Sequence, residues 1–158
     1  MARRRDTGPP ATGPSEKEVL WGLLSYLRES IAAKAEGVPE PHVRAAGVPS
    51  GTSLLGLISH LTQVERHWLL GATVRDWEAT FHPDAQATAE EVLAAYRETT
   101  RQADEAIAEC DDLAAPGPRA GRRTPSWRWT LAHMIEETGR HAGHADILRE
   151  LVDGATGR

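Results

Sequence analysis

The stretch Trp127-Arg128-Trp129-Thr130-Leu131-Ala132-His133-Met134-Ile135-Glu136-Glu137-Thr138-Gly139-Arg140-His141-Ala142-Gly143-His144-Ala145-Asp146-Ile147-Leu148-Arg149-Glu150 predicts one long helix. Leu131, Met134, Ile135, Ala142, Ala145, Leu148 and, just beyond, Val152 recur at helical spacing with no proline between them. At about 100° of rotation per residue, Glu137 and His144 fall within roughly 40–60° of His141, and so do Met134, Ala145 and Leu148. A carboxylate and two imidazoles therefore share the core side of the helix. A buried carboxylate needs compensation, and a metal ion is one way to supply it.

Working back toward the N-terminus, the other segments also read as helices or loops. Ser15 and Glu18 match a capping box, and Val19, Leu20, Leu23, Leu24, Leu27 and Ile31 form one apolar face that ends near Gly37. Residues 38–51 hold three prolines and two glycines and predict a loop. A second helix is expected from Thr52 to near Gly71, with Leu54, Leu57, Ile58, Leu61, Val64, Trp68 and Leu69 inward and His60 bordering that face. Asp76 to Ala87 has no sustained period and predicts a long crossover, with Trp77 and Phe81 as packing anchors. Thr88 and Glu91 repeat the capping-box pattern, and Val92, Leu93, Tyr96, Ala103 and Ile107 carry a third helix to near Asp112. After a Pro/Gly-rich loop, Thr124-Pro125 is expected to open the fourth helix, which runs to about Gly154. The result is an all-α four-helix bundle with long crossover loops, occupying residues 15–158 behind a disordered tail at residues 1–14.

Composition narrows the function classes. A chain of 158 residues can bury a core without disulfides or a structural metal. Its one cysteine, Cys110, excludes an internal disulfide framework, fits a reducing compartment and reads as an inert helix residue. A net charge of −5 gives no electrostatic case for nucleic acid. No apolar run reaches the roughly 20 residues that span a bilayer, and Arg3-Arg4-Arg5 is not followed by a signal-peptide core. A cytoplasmic protein is expected, acting on a small-molecule substrate, with no nucleic-acid or membrane partner, as a monomer or homodimer.

Glu137 and His141 are four apart, which stacks two ligands on one helix face, and His60 from the second helix would complete a His/Glu/His set. Three such ligands suit Zn²⁺ or a similar divalent ion, with a fourth position open to water or substrate. The same spacing also occurs as an ordinary charge pair. His144 reads as a partner behind the ligands, although it can also be a fourth ligand or a substrate contact. His133 reads as a packing or capping residue and His67 as a partly exposed helix-end residue. Glu136 is placed to pair with Arg140, and Glu29 and Glu65 are expected on solvated faces.

The run from Trp129 to Glu150, with Asp153-Gly154-Ala155-Thr156-Gly157 after it, resembles a largely actinobacterial branch of the DinB-like (YfiT-like) superfamily of metalloenzymes. Upstream, Ser53-Leu54-Leu55-Gly56-Leu57-Ile58-Ser59-His60-Leu61, with Val64, Glu65 and Trp68 after it, resembles the superfamily's helix-two motif. The resemblance spans roughly residues 16–157. It implies a four-helix bundle holding a divalent metal through one residue of helix two and two of the last helix; some relatives are transferases or isomerases that use bacillithiol or mycothiol. Carried across, the ligands fall on His60, on His141, and on Glu137, where many members have histidine and the mycothiol-dependent maleylpyruvate isomerase branch has glutamate. His144 stands where many members have glutamine. No reaction is assigned to the branch, so the resemblance implies a site more than a substrate.

The expected function is that of a divalent-metal-dependent enzyme, with Zn²⁺ or Ni²⁺ bound and mycothiol as co-substrate, acting as a low-molecular-weight-thiol S-transferase or isomerase. The alternatives are a non-catalytic metal or small-ligand binding bundle, a hydrolase using metal-activated water, and a plain bundle whose inward polar groups satisfy one another.

Overall fold

Each of the four helices begins at a hydroxyl side chain that accepts a backbone N–H of the first turn. The structure, a computed structural model, describes residues 8–156 except Thr12 and Ala120. Helix α1 is Glu16–Ala35, α2 is Leu54–Leu69, α3 is Ala89–Ala108 and α4 is Trp127–Asp153, with a short 3₁₀ turn at Ala79–Phe81. The caps are Ser15, Ser53, Thr88 and Ser126, and both capping boxes close, Glu18 and Glu91 reaching back to the cap residues. Each cap satisfies a donor that would otherwise lack an intrahelical partner. At the far end of α4, Gly154 takes a left-handed φ of 72°, a conformation glycine adopts without a Cβ penalty.

Against α1 lies α4, and against α2 lies α3; α2 also touches α1 and α4. The core between them is built from Leu24, Ile31, Leu55, Leu57, Ile58, Leu61, Leu93, Tyr96, Ile107, Leu131 and Met134. The described residues contain no strand, only an isolated bridge between Pro116 and Ser126. The fold is the expected all-α four-helix bundle. Among the described residues no helix is long and apolar enough to cross a membrane. Of the expected N-terminal tail, residues 1–7 and Thr12 lie outside the described residues.

Several boundaries shift from the expected ones. The fourth helix starts at Trp127 rather than at Thr124-Pro125, because the residues before it are held in extended pairing: Gly117 N–H donates to Pro125 O at 2.7 Å. Trp127 and Arg128, in the first turn of α4, donate their N–H groups to Ala115 O and Leu113 O. The second helix starts one residue after its Ser53 cap, and the third stops at Ala108, which leaves Cys110 buried in the loop beyond it. Val19, expected inward, is 38% exposed.

The main correction is Glu65. It was expected on a solvated face and is fully buried. Its two oxygens accept from Arg28 Nε and Nη2 at 2.7 and 2.6 Å, and Arg28 Nη1 donates to Asp104 Oδ1 at 2.7 Å. Trp21 Nε1 donates to the same Asp104 oxygen at 2.6 Å. One guanidinium thus joins α1, α2 and α3. Burial pushes the Glu65 carboxyl above its usual range, and the paired guanidinium opposes that push.

Breaking a buried pair from one side leaves the other charge uncompensated, at a cost of roughly 3–5 kcal/mol. Glu65→Leu is therefore expected to lower the unfolding free energy by about that amount in urea titrations. Arg28→Met combined with Glu65→Leu should lie closer to the parent than Glu65→Leu alone. Unfolding of the single variant within 1 kcal/mol of the parent, on the order of a surface pair, would contradict this account.

Candidate metal centre

His60 sits in the middle of α2, and Glu137 and His141 lie one turn apart on α4. Leu57 and Leu61 beside His60, and Met134, Thr138 and Ala145 beside the α4 pair, are buried. Packing of these neighbours turns the three polar side chains toward one another across the α2/α4 contact. His60 Nε2 lies 3.3 Å from Glu137 Oε1, and His141 Nε2 lies 3.2 Å from the same oxygen. One donor atom from each residue falls within 4.8 Å of the other two. Ligand atoms around a tetrahedral ion with bonds of about 2.1 Å stand about 3.4 Å apart. The contacts to Glu137 match that spacing.

The crossover between α2 and α3 covers the centre. Its 3₁₀ turn comes down on the start of α2, close enough that a Cβ on Gly56 would meet Phe81 O at 2.6 Å. This approach lays the Phe81 ring flat on His60, with centroids 3.9 Å apart and planes 9° apart. Trp77 meets the same imidazole edge-on at 6.0 Å. Both had been expected as packing anchors, and Phe81 packs on His60 itself. Thr80 was missed: its Oγ1 lies 2.7 Å from His60 Nδ1. The signal available for it was Asp76, whose carboxylate accepts the Ala79 N–H at 3.1 Å and begins the turn.

Protons can be counted around His60. Thr80 donates its hydroxyl hydrogen to Trp77 O at 2.5 Å, so its oxygen accepts from His60 Nδ1–H. Burial lowers the pKa of His60, and Glu137 offsets this only in part. His141 is lowered likewise, mainly by burial. Burial alone would raise Glu137, but its contacts with the two imidazoles outweigh this and lower it. Near neutral pH the set is thus one carboxylate and two neutral imidazoles. With its one proton on Nδ1, His60 turns a bare Nε2 lone pair toward the Glu137 carboxylate. Two acceptors facing each other at 3.3 Å repel unless a cation lies between them. The donor set fits a divalent ion.

His144 is exposed, and its Nδ1 lies 3.4 Å from His141 Nδ1. Gly143 beside it faces open space rather than a close neighbour. His133 stacks on Trp129 and meets Trp68 edge-on. His67 lies near the end of α2, its Nδ1 2.9 Å from Ala72 O and its Nε2 accepting from Arg119 Nε at 3.0 Å. Glu136 pairs with Arg140 as expected. A cleft of about 550 Å³ between the end of α1 and α3 is lined by none of the three central residues.

A helical bundle with an inward His/Glu/His set shared by its second and last helices defines a scaffold of the DinB/YfiT-like metalloenzyme superfamily. The family model described as mycothiol-S-transferase matches residues 19–154, and the chain belongs to that family. No curated protein matches the chain.

The lowered imidazoles make stability depend on pH. Both histidines take up a proton less readily folded than unfolded, where the value is about 6.5. Their contribution is complete above that value and is lost as pH falls through the folded values. Chelator-treated protein is therefore expected to lose stability in urea between about pH 7 and pH 5. The His60→Gln variant should lose less over the same interval. A parent protein that gains stability on acidification would refute the assignment of two neutral buried imidazoles.

Proposed function

We propose that the protein binds one divalent metal ion through His60 Nε2, Glu137 and His141 Nε2, and uses it to transfer the sulfur of mycothiol to an electrophilic carbon. The observation that supports this most directly is the bare Nε2 of His60 held against the Glu137 carboxylate. Membership of the mycothiol-S-transferase family supports mycothiol as the thiol. Two imidazoles and one carboxylate suit Zn²⁺ or Ni²⁺. Such an ion, held by His60, Glu137 and His141, would supply Lewis acidity that lowers the pKa of a bound thiol.

The chain's own residues would orient this chemistry. Thr80 holds the Nδ1 proton of His60 and so keeps Nε2 free to ligate. His144 accepts the Nδ1 proton of His141 and does the same for that ring, the role expected of a partner behind a ligand. Phe81 and Trp77 shield the α2 side from water. In the reaction the thiol loses its proton to solvent and its sulfur lone pair forms a C–S bond. The bond from that carbon to the leaving group breaks, and the leaving group departs with the electron pair. No oxidant or reductant is required.

Elemental analysis of protein purified without chelators is expected to give about one divalent ion per chain. Calorimetry should show mycothiol binding to the metal-loaded protein and not to the chelated protein or to His141→Ala. Equal binding to all three forms, or none at millimolar mycothiol, would move the reading to a water-activating hydrolase or a non-catalytic binder.

Thr80→Val tests the orienting hydrogen bond. It should weaken metal binding by about 10–100-fold while leaving helix content unchanged. A loss of less than twofold, on the order of experimental error for such a contact, would remove Thr80 from the site.

A further inference from the structure

Rings continue outward from the metal centre in an unbroken series. Trp77 touches His60 on one side and His67 on the other, with centroids 6.0 and 5.2 Å away. His67 meets Trp68 at 5.0 Å, Trp68 meets Trp129 at 5.2 Å and His133 at 4.8 Å, and Trp129 stacks on His133 at 4.9 Å with planes 24° apart. Along α4, Glu137, His133 and Trp129 follow one another at four-residue spacing, which puts Trp129 eight residues or about 12 Å from Glu137. The rings are not a closed core. Trp129 is 48% exposed and Trp77 39%.

A cation stands over this strip. The Arg119 guanidinium lies 4.9 Å from the centroid of the Trp68 ring, and its Nε donates to His67. Among the described residues no carboxylate forms an ion pair with it. The strip therefore combines exposed indole faces, a cation with no ion-pair partner among the described residues, and direct continuity with the centre.

We propose that this strip is the acceptor subsite of the centre and that it takes a flat aromatic electrophile carrying an acidic substituent. The proposal rests on the thiol-transfer reading for the role of the bound molecule, but not for its binding. The aromatic ring stacks on the exposed face of Trp77 and is bordered by Trp68 and Trp129, tryptophan offering a large face at little entropic cost. The acidic group meets Arg119. The carbon to be attacked then lies at the Trp77 end, beside His60. An aliphatic acid of similar size gains the charge contact without the stacking.

The test uses the full chain, metal-loaded and chelator-treated, without thiol, and 2,4-dinitrobenzoate, 1,3-dinitrobenzene and cyclohexanecarboxylate as unreactive probes. In ¹H–¹⁵N spectra 2,4-dinitrobenzoate is expected to shift the indole N–H signals of Trp68, Trp77 and Trp129 and to leave those of Trp21 and Trp127 in place. Trp77→Leu should weaken its binding about fivefold, the size of one stacking contact. Arg119→Gln should weaken 2,4-dinitrobenzoate about fivefold and leave 1,3-dinitrobenzene within about twofold, since only the former carries the charge. Cyclohexanecarboxylate should bind more weakly than either aromatic.

Shifts confined to Trp21 and Trp127, or none at millimolar probe, would overturn the subsite. So would a concentration-dependent dimer in sedimentation that Trp129→Leu dissociates, because the strip would then be covered by a second copy. Failure of mycothiol to bind the metal-loaded protein would sink the thiol reading and leave these probe results standing. Loss of probe binding with mycothiol binding intact would do the reverse.

Discussion

Glu65 is a carboxylate with no access to water, and it determines how α2 can sit in the bundle. Its two oxygens are satisfied by one guanidinium, and that guanidinium comes from α1 and also holds Asp104 of α3. Any rotation of α2 that exposed Glu65 would separate it from Arg28 and leave a charge buried on the other side. His60 lies five residues before Glu65, about 140° around the helix. With Glu65 committed to α1 and α3, His60 is turned toward α4. The position of the centre follows from an ion pair that takes no part in it.

The two buried polar clusters on α2 differ in how completely they are satisfied. In the Arg28–Glu65–Asp104 network, each of the three guanidinium nitrogens has a carboxylate oxygen within 2.7 Å. At His60, Glu137 and His141 the protons run short. Thr80 directs its hydroxyl to Trp77 O and takes the only proton of His60, so one contact to Glu137 has no hydrogen in it. Both clusters occupy the same helix and similar burial. The apolar core is built without either of them, so a shortfall at His60 can persist in a folded chain.

The sequence made the outline legible where the signal is local. Ser15 with Glu18 and Thr88 with Glu91 are complete within four residues, and both close as capping boxes. The Glu137 and His141 spacing lies within one turn, and the helical period alone places both on the inward side. Glu65 shows the limit. It stands four residues after Leu61 and next to Val64, in the apolar stripe, and its inward direction could be read from the period. What could not be read is its partner, Arg28, 37 positions away on another helix. Without a visible partner a glutamate reads as solvated, because most are.

Thr80 and the cap of α4 were hidden for a related reason. A loop has no period, and although Asp76 marks the start of a turn, it does not say that the Thr80 hydroxyl returns to the middle of α2. The return depends on Gly56, whose missing side chain admits Phe81 O against the helix. A glycine inside a helix usually weakens it by about 1 kcal/mol; here it admits the 3₁₀ turn that covers His60. Any side chain at position 56 would press on the Phe81 backbone and disturb both the ring on His60 and the hydroxyl beside its Nδ1. The glycine lies one turn from His60 and touches no ligand atom, yet it sets the orientation of the imidazole through the loop. Orientation of the centre is therefore divided between a charge pair behind α2 and a glycine in front of it, and both act on a ring that α2 alone would leave free to turn.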